Sequence, residues 1–410
     1  MRPLKILFLL SRMKGTATYV RARQLAGQLA LRGHDVTLMA VSPQSRFSSL
    51  TSWDSGFKTV ETPNFLHHVF GTFTGRLFLE PGAGFLDVIA RIREIRAYAY
   101  DIVHTFDHSL NVALPFYLLK GKRKAAFVSD WCDVYNYEGG LRDVYGYRLD
   151  PLYRKIGLPF RRLSRFLEFD LRRGAAAVTA ISAMLRQFAI ENSIAEDRVF
   201  VVEGGADVDN IVPLPKAEAR SRLGLPVTGK IVGFLGTFQR DLDMVIRSLA
   251  LVKREIPDAY LLVVGTSYGW TEKLAAGSGV ADACIEAGRC PDDLLPIYLA
   301  AADVHVLPLR ENLANKTRWP NKMGEYMASC RPTVVNDVGD VAEVVKTYGI
   351  GLVADQSVED FAAKIAILLK DSLLADEMGN NARRLACTRY SWGIMAEKLE
   401  QVYQQVLTRR

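Results

Sequence analysis

The 410-residue chain predicts two doubly wound α/β domains facing each other across a cleft. Strand and helix patterns alternate in two consecutive series, as a parallel sheet covered on both faces requires. A proline-flanked break at Pro213–Pro215 separates the series. A final amphipathic stretch stands apart from both.

In the first series, Leu4–Leu10 is apolar apart from Lys5, as expected of a strand buried on both faces. Ser11–Gly15 is a polar loop. A helix follows from about Thr16, with Tyr19, Ala22, Leu25, Ala26 and Leu29 at helical spacing. Gly33 stops it, and Val36–Val41 completes a βαβ unit. Further strands are predicted at Asp101–Phe106, Ala125–Asp130, Ala176–Ile181 and Arg198–Glu203.

The second series opens after Leu225–Gly229, read as loop. Its strands are predicted at Ile231–Leu235, Tyr260–Val264, Cys284–Ala287, Val304–Leu309 and Thr333–Asn336. Helices are expected over about Asp241–Glu255 and Asp292–Ala302. Met395, Leu399, Val402, Tyr403 and Val406 then recur at helical spacing within Ser391–Arg410. The expected division is 1–212, 213–390, and a helix over 391–410 packing back on the first domain. Ligands of such sheets collect at the C-terminal ends of the strands.

Composition is that of an ordinary globular protein, 49% hydrophobic and 24% charged. The net charge of +7 points to anionic partners without choosing among them. Five cysteines with no C-x-x-C pair argue against a disulfide framework or a zinc site and fit a reducing compartment. The start reads as a strand rather than a signal peptide. Gly174–Leu185, a long uncharged stretch, is too short to span a bilayer. These features predict a cytoplasmic protein.

The most informative block is Arg318–Asp337: a loop, a short helix and a buried strand. Pro320 suits a first helical turn. Lys322 and Glu325 lie three apart and so share a face near the helix N-terminus. A lysine at a helix N-terminus suits phosphate, and a carboxylate one turn on suits sugar hydroxyls. Gly15 and Thr16 end the first strand and start a helix, where backbone can approach a phosphate.

This block resembles the nucleotide-sugar signature of the GT-B glycosyltransferases of family 4. The likeness covers nearly the whole chain, in order. It includes Lys5-Ile-Leu-Phe-Leu-Leu10 with Gly15-Thr16, Leu29-Ala-Leu-Arg-Gly-His-Asp-Val-Thr37, and Asp101-Ile-Val-His-Thr105. Val178-Thr-Ala-Ile-Ser182, Val201-Val-Glu-Gly-Gly-Ala-Asp207 and Leu299-Ala-Ala-Ala-Asp-Val-His-Val-Leu-Pro308 continue it, and Tyr390-Ser-Trp392 closes it. The resemblance implies a GT-B fold, two Rossmann-like domains, and transfer of a sugar from a nucleotide sugar with retained anomeric configuration. It also implies no metal and no cofactor, the donor being a UDP- or GDP-sugar that serves as substrate.

Residue by residue, Glu325 takes the position of the family's ribose-binding glutamate. Thr317 replaces the first glutamate of its E-x7-E pattern. Thr237 replaces the arginine of its pyrophosphate clamp, and Arg240 is the nearest cation. One hypothesis places the diphosphate on Lys322 and Arg318 instead. Gly236 precedes Thr237 at the strand end, and Arg289 and Cys290 occupy the turn that meets the base in the family. Asp130 stands where the family has His or Asp near the anomeric carbon, and His104 is a second catalytic candidate. The D-x-D strings Asp207–Asp209 and Asp241–Asp243 read as loop or helix acids rather than metal ligands.

The expected reaction is hexosyl transfer (EC 2.4) to a hydroxyl of a carbohydrate or glycolipid acceptor. The alternatives are a non-catalytic nucleotide-sugar-binding protein and a GT-B phosphorylase or epimerase. Arg148–Arg173 holds eight Lys or Arg against three Asp or Glu, interleaved with Tyr153, Phe160, Phe166 and Phe169. That segment admits a peripheral contact with the inner face of the cell membrane. No nucleic-acid motif is present.

Overall fold

The computed structural model describes residues 2–65, 85–119, 125–145, 158–236, 241–265 and 269–409. Two compact units emerge, one of Met1–Glu203 with Met395–Arg410 and one of Gly204–Ile394.

The first unit is built on an eight-stranded sheet in the order β3-β4-β2-β1-β5-β6-β7-β8. Its strands are β1 Lys5–Met13, β2 Asp35–Val41, β3 Leu50–Asp54, β4 Phe57–Thr62, β5 Ile102–Phe106, β6 Ala126–Trp131, β7 Ala177–Ala180 and β8 Val199–Val201. All neighbours are parallel except β3 and β4, which form an antiparallel hairpin at one edge. Ser55 and Gly56 both take positive φ there, at 48° and 87°, as a two-residue primed turn demands. Sequence reasoning missed this hairpin. β3 is exposed over four of its five residues and carries no apolar alternation to read. β1 runs three residues past its expected end, with its register against β2 shifting between Leu9 and Met13.

The second unit holds six parallel strands in the order β11-β10-β9-β12-β13-β14. They are β9 Lys230–Leu235, β10 Ala259–Val264, β11 Cys284–Gly288, β12 Val304–Leu307, β13 Thr333–Asn336 and β14 Gly351–Ala354. Counted from β9 this is the order 3-2-1-4-5-6, and the direction of winding reverses between β9 and β12. β14 was not predicted. It has four residues, and Gly351 leaves no room for a side chain against the Thr333 backbone.

Buried apolar side chains hold helices to each sheet. Leu7, Leu9, Val103, Phe116 and Phe127 cluster in the first unit, and Val232, Phe234, Val304, Val306 and Phe361 in the second. Each such side chain stabilises its unit by about 1.5–3 kcal/mol relative to exposure. The helix Trp392–Thr408 joins the first unit from Met395 onward. There Glu400 accepts from Arg32 at 2.6 Å and lies 3.3 Å from His34 Nε2. Tyr403 Oη lies 2.7 Å from His104 Nδ1. No helix among the described residues is long and apolar enough to cross a membrane.

Candidate functional site

In the second unit, β9 ends at Leu235 and Gly236 follows with φ 145°. A Cβ at Gly236 would stand 2.9 Å from Lys322 Nζ, so the missing side chain leaves space for the ammonium. Lys322 Nζ also lies 4.5 Å from the centre of the Phe234 ring. The lysine belongs to the helix Asn321–Ala328, whose N-cap is Pro320 rather than its first residue. Glu325 follows one turn on. Lys322 therefore sits at the C-terminal end of β9, where the sheet reverses direction.

Tyr326 fixes that placement. Its hydroxyl accepts the Leu235 N–H at 2.8 Å, and its ring stacks on His305 at 4.1 Å and 4°. His305 Nε2 lies 3.2 Å from Ser329 Oγ, and burial lowers its pKa to about 3. The imidazole in turn requires Gly233, where a Cβ would meet Nδ1 at 2.7 Å. On the other side the helix has no spare room, since Gly324 lies directly on the Gly205 carbonyl.

Burial, then the neighbouring Arg318 charge, lowers Lys322 to about 7. Burial raises Glu325 to about 7, helped by Asp207 and Asp292 and opposed by Lys322. Both side chains keep a partly open face, which softens these effects without changing their direction. The helix thus presents a cation and a carboxylate, each close to losing its charge near neutral pH.

The remaining predicted residues of this unit take varied places. Thr317 is buried, and its hydroxyl donates to the Leu313 carbonyl at 2.8 Å, within its own helix Leu313–Thr317. Arg318 follows in extended conformation. Cys290 is half-buried; burial raises its thiol, with Asp292, Glu325 and Asp293 adding to the effect, so its turn lies near Glu325. Arg289 is exposed, just past Gly288 with φ 66°. Thr237 and Arg240 lie outside the described residues. Arg310 pairs with Asp241 at 3.3 Å and Asp243 at 2.6 Å, which occupies that D-x-D string.

In the first unit, Asp130 ends inside a buried network. Arg21 donates to both its oxygens, at 3.1 and 3.0 Å, and also to the Val202 and Glu203 carbonyls, each at 2.7 Å. Burial alone would raise Asp130, but the Arg21 charge and hydrogen bonds bring it below its usual range. Thr179 Oγ1 donates to Asp130 at 2.7 Å. Its hydroxyl therefore accepts from His104 Nε2 at 3.3 Å, which leaves His104 Nδ1 to accept from Tyr403. His104 is fully buried, and burial lowers it to about 4. The two predicted catalytic residues thus share one directed chain from Tyr403 through His104 and Thr179 to Asp130, closed by Arg21. Neither is placed as a free acid or base.

Sequence reasoning missed Arg21 as a site-forming residue, although a signal existed: it lies four residues before Leu25 on the buried face of its helix. Asp107 also stands here, just past the end of β5. Its φ is 116°, a strained value for a side-chain-bearing residue. Burial would raise its carboxyl, but Arg12 and His108 lower it to about 2. Ser11 Oγ donates to it at 2.5 Å. A small open pocket lies here at the ends of β5 and β6, with Thr18, Asp107, Asp130, Asp133, Tyr135 and Arg172 among its lining. Gly15 has φ 90° and is exposed, and Thr16 caps the helix Ala17–Leu31 while donating to the Met13 carbonyl.

Residues 15–205 match the glycosyl transferase 4-like domain, and residues 215–385 match the glycosyl transferases group 1 domain. The chain is similar to a D-inositol 3-phosphate glycosyltransferase of Thermobispora bispora, 28% identical over 227 residues, 52% of each chain. It is also similar to a GDP-mannose-dependent alpha-(1-6)-phosphatidylinositol monomannoside mannosyltransferase of Mycobacterium tuberculosis. That match is 32% identical over 206 residues, 48% of this chain and 53% of the relative. The chain spans about half the length of these relatives. Its fold is that of sucrose-phosphate synthase from Thermosynechococcus elongatus, with TM-score 0.74, 19% identity and full coverage of both chains. The structure of Anabaena HepE in complex with UDP-glucose matches with TM-score 0.68 and 15% identity, covering 99% of each chain. The two parallel-sheet units are those of the GT-B glycosyltransferases.

Proposed function

The chain belongs to the group 1 glycosyl transferases, and from that premise we propose that it moves a hexosyl group from a nucleotide sugar to an acceptor hydroxyl with retained anomeric configuration. One observation carries the reading. Lys322 stands at the reversal point of a 3-2-1-4-5-6 sheet, against Gly236, with Glu325 one turn behind. Nucleotides bind at that point in sheets of this order.

In this proposal Lys322 and Arg318 hold the diphosphate and Glu325 accepts the ribose hydroxyls. The Gly288–Cys290 turn meets the base. The leaving diphosphate takes the acceptor proton, so the protein contributes position and electrostatic preorganisation rather than a strong base. Metal independence belongs to the same proposal, the two cations supplying positive charge at the phosphates. UDP and GDP sugars are the donors to test first, since HepE binds UDP-glucose and the mycobacterial relative is GDP-mannose-dependent.

A thermal-shift panel of UDP, GDP, ADP and TDP sugars, followed by donor turnover in EDTA, tests this. Stabilisation by one sugar nucleotide and metal-free turnover are expected. Binding without hydrolysis or transfer would favour a non-catalytic sugar-nucleotide binder, the reading that Thr317 supports by turning its hydroxyl onto its own helix.

The proposal includes peripheral contact with an anionic membrane through 148–173. Residues 148–157 lie outside the described residues. In the remainder Arg162, Leu163, Arg165 and Phe166 are exposed together, Phe166 by 58%. Co-sedimentation with anionic vesicles at low salt is expected; its absence removes the membrane contact from the proposal.

A further inference from the structure

We infer that Trp319 is a positioning residue for the proposed diphosphate site: stacked on Tyr390 and seated on Gly204, it sets where Arg318 and Lys322 stand. The link to a diphosphate rests on the transferase reading above; the placement of the two cations does not.

The connection between the helices Leu313–Thr317 and Asn321–Ala328 is three residues long. Arg318 and Pro320 are half-buried, and Trp319 between them is 2% exposed. Arg318 is extended, with φ −92° and ψ 159°, as is Pro320, with φ −65° and ψ 130°. Consecutive side chains of extended backbone take opposite sides, so a tryptophan held inward turns Arg318 outward. Lys322 lies three positions on, in the first turn of the second helix, so whatever fixes Trp319 also fixes the start of that turn.

Three consecutive residues make the seat. A Cβ at Gly204 would stand 2.6 Å from the Trp319 indole, so the glycine leaves the space that the ring fills. The Gly205 carbonyl lies against Gly324 of the Lys322 helix. Ala206 donates its N–H to the Tyr390 carbonyl at 2.6 Å, and its own carbonyl accepts the Trp392 N–H at 3.2 Å. Tyr390 closes the five-residue π-helix Ala386–Tyr390, a rare form that recurs at functional sites. Its ring stacks on Trp319 at 5.1 Å and 6°. The buried Trp319 Nε1 has no hydrogen-bond partner among the described residues. A buried N–H left so is a cost. Shape and stacking therefore hold the ring, and a phenyl ring should serve as well. Without the anchor, Lys322 is free to leave the space at Gly236 and the Phe234 ring, and to titrate as an ordinary lysine.

NMR titration of methyl-labelled lysines on the full chain, with Lys322→Arg to assign the signal, tests this. In the unmodified protein Lys322 should titrate near 7, and in Trp319→Leu its midpoint should climb toward 10.5. Trp319→Phe should keep the low midpoint. Tyr390→Leu should act like Trp319→Leu, and the double variant should add little, since both remove one stack. The Kd of the bound sugar nucleotide should rise at least about fivefold in Trp319→Leu and return in Trp319→Phe. A tryptophan that only stabilised the fold would lower the melting temperature without moving the Lys322 midpoint. An ordinary midpoint in the unmodified protein, an unmoved one in Trp319→Leu, or a raised one in Trp319→Phe would overturn the placement. A moved midpoint with an unchanged Kd would keep the placement and remove the phosphate role of Lys322. If no sugar nucleotide binds the unmodified protein, the donor reading falls and the midpoint still decides the role of Trp319.

Discussion

Both units gather their polar chemistry where a sheet reverses its winding, but they compose it in opposite ways. At the ends of β1, β5 and β6, cations and carboxylates are matched: Arg21 with Asp130, Arg12 with Asp107. At the end of β9, burial disfavours the Lys322 charge, and the neighbouring Arg318 disfavours it further. The first arrangement is finished by the protein itself. The second would be improved by a bound anion, as the proposed diphosphate is. A balanced site adds rigidity, whereas a lysine whose charge is disfavoured gives up some stability that an anion would restore.

Breaking the matched side should have the largest effect. Arg21→Met leaves Asp130 buried without its cation, which should destabilise the protein by about 3–5 kcal/mol in chemical denaturation. Replacing Asp130 by Leu in the same chain should recover much of the loss. A single variant as stable as the parent would show that the pair does not hold this unit together.

On the other side, Lys322→Ala removes the charge-assisted contact proposed for the diphosphate. Donor Kd should rise roughly 10- to 100-fold, in keeping with about 1.5–3 kcal/mol for such a bond, while the melting temperature stays level or rises. An unchanged Kd would end the proposed phosphate role.

The smallest effect sharpens the contrast through pH. Above about pH 7 Lys322 loses its proton and with it the proposed hold on a diphosphate; below about pH 7 Glu325 gains one and would accept ribose hydroxyls less well. Donor affinity should peak near neutrality and fall by at most about tenfold per pH unit on either side. The linkage to folding has its own sign. Lys322, lowered from 10.5, adds stability as pH rises through about 7 to 10.5, whereas Glu325, raised from 4.5, loses it as pH rises through about 4.5 to 7. Calorimetric titration of the nucleotide at pH 6, 7 and 8 checks the peak. A flat profile that Lys322→Ala does not alter would contradict it.

Much of the architecture was legible because buried parallel strands are apolar runs, as in Lys5–Leu10 and Ala259–Val264. The exposed β3 and the four-residue β14 lack that signature. At the sites, sequence order hides the decisive contacts. Lys322 was a phosphate candidate from its place in a helix, but nothing in its neighbours says that it reaches Gly236. Asp130 stood out as a carboxylate after a buried strand, and only the fold brings Arg21 to it across 109 positions. The backbone strain of Asp107 could not be read, because it falls on a residue type that does not announce positive φ, as a glycine would.

The hydrogen bond from Tyr403 to His104 also bears on how the chain is made. The first unit contains residues 1–203 and then 395–410, so its last helix emerges from the ribosome only after the whole second unit. At about 5–20 residues per second, the intervening stretch delays that helix by roughly 10–40 s. Throughout that interval His104 has no Tyr403 and His34 has no Glu400. The nascent first unit therefore waits with an uncovered face, and vectorial synthesis makes it the last of the two to be completed.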